Sequence, residues 1–267
     1  MTCTASRYRV ALGVSYNGLN YQGWQSQRSG QTVQDHLQSA LTRIAGHPVT
    51  TLCAGRTDAG VHALMQVVHF DTTAERRDVA WVRGTNSLLA RDIAVQWARR
   101  VPDAFHSRAN ALSRRYLYLL LQSPVRPSFD NGRVGWTMMP LDMAAMQQAA
   151  AVLVGRHDFT SFRAAACQAL SATKTLQPIQ IARRGAYWRF EFEADAFLHH
   201  MIRNIMGCLV AVGQGRHTPQ WMTQVLQARS RKVAAPTFCA DGLYFLGPRY
   251  AAQWGLPERT DGYDGLP

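Results

Sequence analysis

Gly55-Arg56-Thr57-Asp58-Ala59-Gly60 sits between two strand-like runs, residues 49–54 and 65–70. Two glycines bracket an arginine and an aspartate that stand two residues apart. Glycine at a strand end lets the chain turn sharply, or lets a partner come close to the backbone. Such a loop presents an acid beside a guanidinium, and an opposite charge a few ångströms away favours the carboxylate. An exposed carboxylate over a cleft can act as nucleophile or base. The plainer alternative is that Asp58 closes the turn by bonding its own backbone. The loop alone leaves both readings open.

Outward from this loop, 7–16 reads as a strand and 17–29, with Gly18, Gly23 and several glutamines, as a loop. Thr32, with Asp35 three residues on, reads as the N-cap of a helix running to about 45. Strands at 49–54 and 65–71 flank the key loop, followed by a helix over 78–89 and a strand over 93–100. That order, β-α-β-β-α-β, is ferredoxin-like. After Val101-Pro102 the pattern restarts with a strand over 114–121, a Pro/Gly/Asn-rich loop over 124–140 and a helix over 142–154. Strands over 175–183 and 186–194 meet at Arg184-Gly185, a hairpin turn. The strongest apolar helix spans 197–212, another spans 219–229, and 243–246 is a last strand. The expectation is an α+β protein of two halves, 1–105 and 106–267, whose sheets join side by side. The tail, 251–267, is rich in Gly and Pro and is expected to be loose.

The chain has 267 residues, 47% of them hydrophobic, enough for a full core. Its formal net charge is +12. Only Lys174 and Lys232 are lysines, so 27 of the 29 basic residues are arginine. GC-rich coding accounts for that ratio, but not for the net charge, which calls for a polyanionic partner. Cys3, Cys53, Cys167, Cys208 and Cys239 form no Cys-x-x-Cys pair and fit neither a disulfide framework nor a zinc site. Cys53 and Cys208 lie in apolar runs and read as core residues. Residues 1–9 lack the apolar segment of a signal peptide, and no apolar run reaches transmembrane length. These features lead us to expect a soluble cytoplasmic protein with no membrane partner.

Other segments carry candidate chemistry. In Arg114-Arg115-Tyr116-Leu117-Tyr118, strand alternation puts Arg114, Tyr116 and Tyr118 on one face. A basic, aromatic face can stack a nucleobase, or the tyrosines can pack across strands. His199 and His200 lie next to Met201-Ile202-Arg203-Asn204 on the strongest helix. Adjacent histidines cannot share a metal from one helix face, and no carboxylate stands at i+4. Arg203, away from the apolar stripe, needs an acid if buried, and Asp58 is a candidate. Asp158-Phe-Thr-Ser-Phe-Arg163 is either a phosphate contact or an N-cap with two core phenylalanines. Tyr21-Gln-Gly-Trp-Gln25 has the same ambiguity. No Gly-x-x-x-x-Gly-Lys, Gly-x-Gly-x-x-Gly or His-Glu-x-x-His pattern is present.

Gly55–Gly60 with Val61-His62-Ala63 and Gln66-Val67-Val68-His69-Phe70 resembles the signature of the TruA family of tRNA pseudouridine synthases. The likeness covers nearly the whole chain. It runs through Tyr16-Asn-Gly18, Tyr21-x-Gly23-Trp24-Gln25, Thr32-Val33-Gln34, Phe105-His106, Arg114-Arg115-Tyr116, 158–164, 199–207 and Gly242-Leu243-Tyr244. The resemblance implies the pseudouridine synthase fold: α+β, with two ferredoxin-like halves whose mostly antiparallel sheets join into one extended sheet. Helices would pack on one side around a central cleft. Residues 1–105 would carry the catalytic aspartate loop, and 106–267 would complete the cleft and the RNA-binding surface.

By the same resemblance, Asp58 is the catalytic aspartate and Arg56 intrudes where the target base leaves the stack. Tyr116 packs on the uracil, and Arg203 pairs with the aspartate. The family isomerises uridine to pseudouridine at positions 38, 39 and 40 of the tRNA anticodon stem-loop. It uses neither metal nor cofactor and works as a homodimer. Asn17, Met65 and Ala109 depart from the family's usual residues. Two other classes compete with this reading. One is a non-catalytic RNA-binding protein on the same scaffold, which would not need Asp58 together with Arg56, Tyr116 and Arg203. The other is a metal-dependent nuclease, which needs a carboxylate cluster where the Asp58 region offers one acid.

Overall fold

The computed structural model describes residues 6–258. They divide into two compact units, one running to Leu112 and resuming at Tyr244, the other Ser113–Leu243. The first unit thus ends a few residues beyond the expected 105 and takes back the final strand.

In the first unit, β1 (Tyr8–Tyr16) is buried or half-buried at every position. It runs antiparallel between two neighbours, and a strand covered on both faces needs a near-continuous apolar run. Helix α1 (Val33–Ala45) begins where expected. Thr32 Oγ1 accepts the Asp35 N–H, the Asp35 carboxylate accepts the Thr32 hydroxyl, and Gly46 closes the helix at φ 75°. The strand expected over 49–54 is only β2 (Leu52–Cys53), whereas β3 (His62–Thr72) is longer than foreseen. Helix α2 (Asp78–Asn86) and β4 (Ile93–Val101) complete the unit. The strand order is β4-β1-β3, with β2 antiparallel on the far edge of β3. This is the ferredoxin-like arrangement that the element order predicts.

The second unit opens with β5 (Ala111–Gln122) and the short parallel strand β6 (Gly135–Thr137) beside it. Helix α3 (Met143–Ala151) is capped by Asp142 and followed by β7 (Gly155–Asp158), a strand the sequence did not announce. The single strand expected over 175–183 is two, β8 (Thr173–Leu176) and β9 (Gln180–Arg184). Pro178 lies in the break, because it has no N–H to give a ladder. In β10 (Tyr187–Ala194), Trp188, Phe190, Phe192 and Ala194 are buried and alternate with half-exposed residues. That pattern marks a strand with one face on the core. Gly185, at φ 58°, turns the β9–β10 hairpin as expected.

Helix α4 (Met201–Gly213) starts later than the periodicity suggests, so His199 and His200 precede it. Helix α5 is Trp221–Ala228, and β11 is Leu243–Tyr250. The Tyr244–Phe245 stretch of β11 pairs in parallel with His62–Ala63 of β3. The segment after β11 is not loose as far as it is described. Trp254 and Leu256 pack on the buried cluster around Phe105, with the Trp254 and Phe105 rings 5.3 Å apart. The rest of the expected tail, and Cys3, lie outside the described residues.

Candidate active site

The 55–60 loop is clamped from its own unit. The Gln66 side chain is fully buried, and its amide donates to the Gly55 carbonyl and accepts the Gly55 N–H. Thr57 Oγ1 and Tyr16 OH form a buried hydrogen bond of 2.8 Å. The Thr57 carbonyl accepts the Trp24 N–H at 3.0 Å. The Val61 N–H donates to the main-chain carbonyl of Asp58 at 3.1 Å, and Gly60 at φ 79° supplies the positive φ of a type II turn. His62 Nδ1 accepts the Gly18 N–H, and the ring stacks on Tyr244 at 4.6 Å.

Two glycines bring the 17–24 strap onto this loop. A Cβ on Gly18 would run into the Val61 carbonyl. A Cβ on Gly23, itself at φ 87°, would lie 2.7 Å from the Thr57 carbonyl. The Tyr21–Gln25 ambiguity therefore resolves toward a structural strap that lies directly on the aspartate loop. Within this frame Arg56 is exposed and Asp58 is half-exposed. The carboxylate is not sealed in the core. Asn17, at the start of the strap, accepts the Leu19 N–H with its side-chain oxygen. An aspartate would do the same, so this departure from the family leaves the strap intact.

The electrostatics of this face are positive. The Cys53 thiol feels both Arg56 and Arg108, and burial outweighs them, raising its pKa to about 11. Arg108 stands on a loop held by the His106 ring, whose Nδ1 accepts the Arg108 and Ala109 N–H groups. The Asn110 side chain accepts the His106 N–H in turn.

Tyr116 and Arg203 belong to the second unit. Tyr116, 7% exposed, pairs across the ladder with Phe192, and its ring meets Phe197 edge-on at 5.2 Å. Tyr118 does not belong to a base-stacking face. It is wholly buried, its hydroxyl donates to the Cys239 carbonyl, and its ring lies against Gly135 and Gly242, where any Cβ would collide. Burial raises its pKa well above the usual value. Both tyrosines of the expected aromatic face are thus buried, Tyr118 wholly and Tyr116 nearly so.

Arg203 is half-buried on the first turn of α4. Its Nε donates to the Phe238 carbonyl at 2.9 Å, and its own carbonyl accepts the Phe238 N–H. His200, just before the helix, has left-handed backbone at φ 62°. A non-glycine residue there is strained, and such strain collects at functional sites. Asn204, fully buried, donates to the Phe162 carbonyl and accepts the Thr237 hydroxyl, which fixes the helix start. In 158–163, Phe159 and Phe162 are fully buried and Asp158 caps Thr160, so the core reading is correct.

Sequence reasoning did not single out Gln66, Thr57 or Asn204 as parts of the site. A lone amide inside an apolar strand and a lone Asn inside an apolar helix were the available signals. Buried polar groups of this kind must be bonded, and here the bonds define loop geometry.

The model of the tRNA pseudouridine synthase family matches residues 13–108 and 149–251. The tRNA pseudouridine synthase A of Albidiferax ferrireducens is 70% identical over 97% of this chain and 100% of its own length. That of Variovorax paradoxus is 66% identical with the same coverage. A solved H/ACA ribonucleoprotein bound to a substrate RNA aligns over 84% of this chain and 59% of its own, at 11% identity and TM-score 0.36, too remote to bear on the fold. No described helix is long and apolar enough to cross a membrane.

Proposed function

This chain belongs to the tRNA pseudouridine synthase family and is an isomerase of tRNA uridine, and we propose that Asp58 starts its reaction at positions 38, 39 and 40 of the anticodon stem-loop. The observation that carries this reading is a half-exposed carboxylate on a turn clamped by buried polar groups, with Arg56 exposed two residues away. The reaction breaks the bond between C1′ and N1, turns the uracil, and joins C1′ to C5. N1 gains a proton and C5 loses one, with no net oxidation. One carboxylate at the ribose suffices, as nucleophile at C1′ or as base at C2′.

Taking the nucleotide out of the stack costs about a few kcal/mol. Stacking on Tyr116 returns about 1–3 kcal/mol, and phosphate contacts supply the remainder. Arg56 would fill the space the base leaves, and Arg203 would pair with the reacting carboxylate. Support for these roles comes from the residues' places in the family signature, together with an exposed Arg56 and a half-buried Arg203. On the same reading the protein works in the cytoplasm as a homodimer, without metal or cofactor.

Pseudouridine mapping of tRNA incubated with the protein tests the proposal. Modification at 38–40, retained in EDTA, is the expected result. Unmodified tRNA would leave the non-catalytic RNA-binding reading, and activity lost in EDTA and restored by metal would favour a metal enzyme.

A further inference from the structure

We infer that Gln66 is a positioning residue for the Asp58 reaction: its side-chain amide stands in for a peptide group where the β2–β3 pairing gives way to the aspartate turn. This rests on the role proposed above for Asp58 and names the group that holds the carboxylate in place. The Ala54 N–H donates to the Val67 carbonyl at 2.8 Å, a main-chain pair just before the turn. One residue on, Gly55 turns to the Gln66 side chain instead. Its N–H donates to Oε1 at 3.3 Å, and its carbonyl accepts from Nε2. A side-chain amide offers the same donor and acceptor as a peptide. The pairing therefore continues while the backbone is released to turn.

The same amide reaches further along the turn. The Gly55 pair fixes which end is nitrogen, and Nε2 carries a second N–H. The Gln66 side chain also bonds the Tyr16 hydroxyl, in the sense that favours the phenolate, as a donated N–H does. Tyr16, accepting there, has its own hydrogen to give to Thr57 Oγ1, 2.8 Å away. Hydrogen bonds thus run in one direction, from Gln66 through Tyr16 to Thr57, and all three side chains are buried. Gly55 and Thr57 are the neighbours of Arg56, and Thr57 is joined directly to Asp58. A misplacement of about 1 Å in a reacting group costs up to about a hundredfold in rate.

A residue needed only for folding would be buried here too, and chemistry separates the two roles. Methionine matches glutamine in size but makes none of these bonds, and it strands the Gly55 N–H and carbonyl. Glutamate keeps the shape and can be switched. Ionised, it has no donor for the Gly55 carbonyl, and it draws the Tyr16 hydroxyl away from Thr57. Protonated, it restores both Gly55 bonds and lacks only the donor to Tyr16. Burial beside a carbonyl holds the pKa of such a carboxyl well above the usual ~4.3. The wild-type groups beside it stay protonated through the neutral range, because burial raises the pKa of Tyr16 and raises that of Cys53 to about 11.

The test is kcat and KM on tRNA, from mildly acid to mildly alkaline pH, for the wild type, Gln66→Met, Gln66→Glu, Tyr16→Phe and Asp58→Asn. Circular dichroism checks each fold. Gln66→Met should lower kcat about tenfold or more, with KM within about twofold of wild type. Gln66→Glu should show a similar loss at alkaline pH and recover toward the wild type as pH falls. Tyr16→Phe, which keeps the ring, should lower kcat by about a few-fold. A Gln66→Glu deficit that is the same at every pH overturns the inference, as does a wild-type kcat in Gln66→Met. A raised KM with unchanged kcat overturns it in favour of RNA binding. If neither Gln66 variant folds, a wild-type kcat in Tyr16→Phe overturns it. An active Asp58→Asn overturns it together with the Asp58 reading, whereas an inactive Asp58→Asn beside fully active Gln66 variants overturns this inference alone.

Discussion

The two units carry their functional residues in opposite ways. In the first, Asp58 and Arg56 ride a turn outside any strand or helix, held by polar struts from Gln66, Tyr16, Trp24 and Val61. In the second, Tyr116 and Arg203 sit on a strand and a helix, held by Phe197 and by the Phe238 carbonyl. A charged group must keep its access to water, so packing cannot fix it and hydrogen bonds to its backbone do so instead. An aromatic ring can be fixed by burial of its edges. The lesson is that the acid depends on distant polar residues, whereas the tyrosine depends on its immediate apolar neighbours.

That contrast can be broken experimentally. Asp58→Glu, one methylene longer on a clamped turn, should lower kcat about 100-fold or more while leaving the melting temperature unchanged. A wild-type rate would mean the turn is not rigid. Gly23→Ala should cost on the order of 1–3 kcal/mol of stability, from its positive φ and the contact with the Thr57 carbonyl. Thermal denaturation reads that loss, and kcat should fall with it. Tyr116→Leu should weaken RNA binding by about 1–3 kcal/mol, read as a raised KM, with little change at the Asp58 loop.

A separate effect concerns pH. His69 is 3% exposed and accepts the Ser107 N–H at Nδ1. Burial first, then the charge of Arg9, lowers its pKa to about 4. The unfolded chain takes up this proton near pH 6.5 and the folded one near 4, so stability falls as pH drops through that window, by roughly 3 kcal/mol in all. In urea titrations His69→Gln should flatten this limb. An unchanged limb would place the proton uptake elsewhere.

How much of this was legible depended on how local each signal is. Thr32 and Asp35 cap each other within one turn, so α1 could be read directly. The Gly55–Gly60 loop, the most specific stretch, contains its own glycines and charges. The struts were not legible, because Gln66 and Tyr16 become partners only once β3 and β1 have paired. His200 looked helical by periodicity, but its left-handed backbone delays α4 to Met201. The return of β11 to the first unit, and the cut at Pro178, likewise depend on pairing that no window of sequence contains. Tyr118 shares a face with Tyr116 by alternation, and only the glycines at 135 and 242 show it to be core.

The central claim is that one carboxylate performs the chemistry. Asp58→Asn, given tRNA labelled with tritium at uracil C5, tests it most directly. The account predicts no tritium release above background, with a tRNA dissociation constant within a few-fold of wild type. Release at the wild-type rate would contradict it.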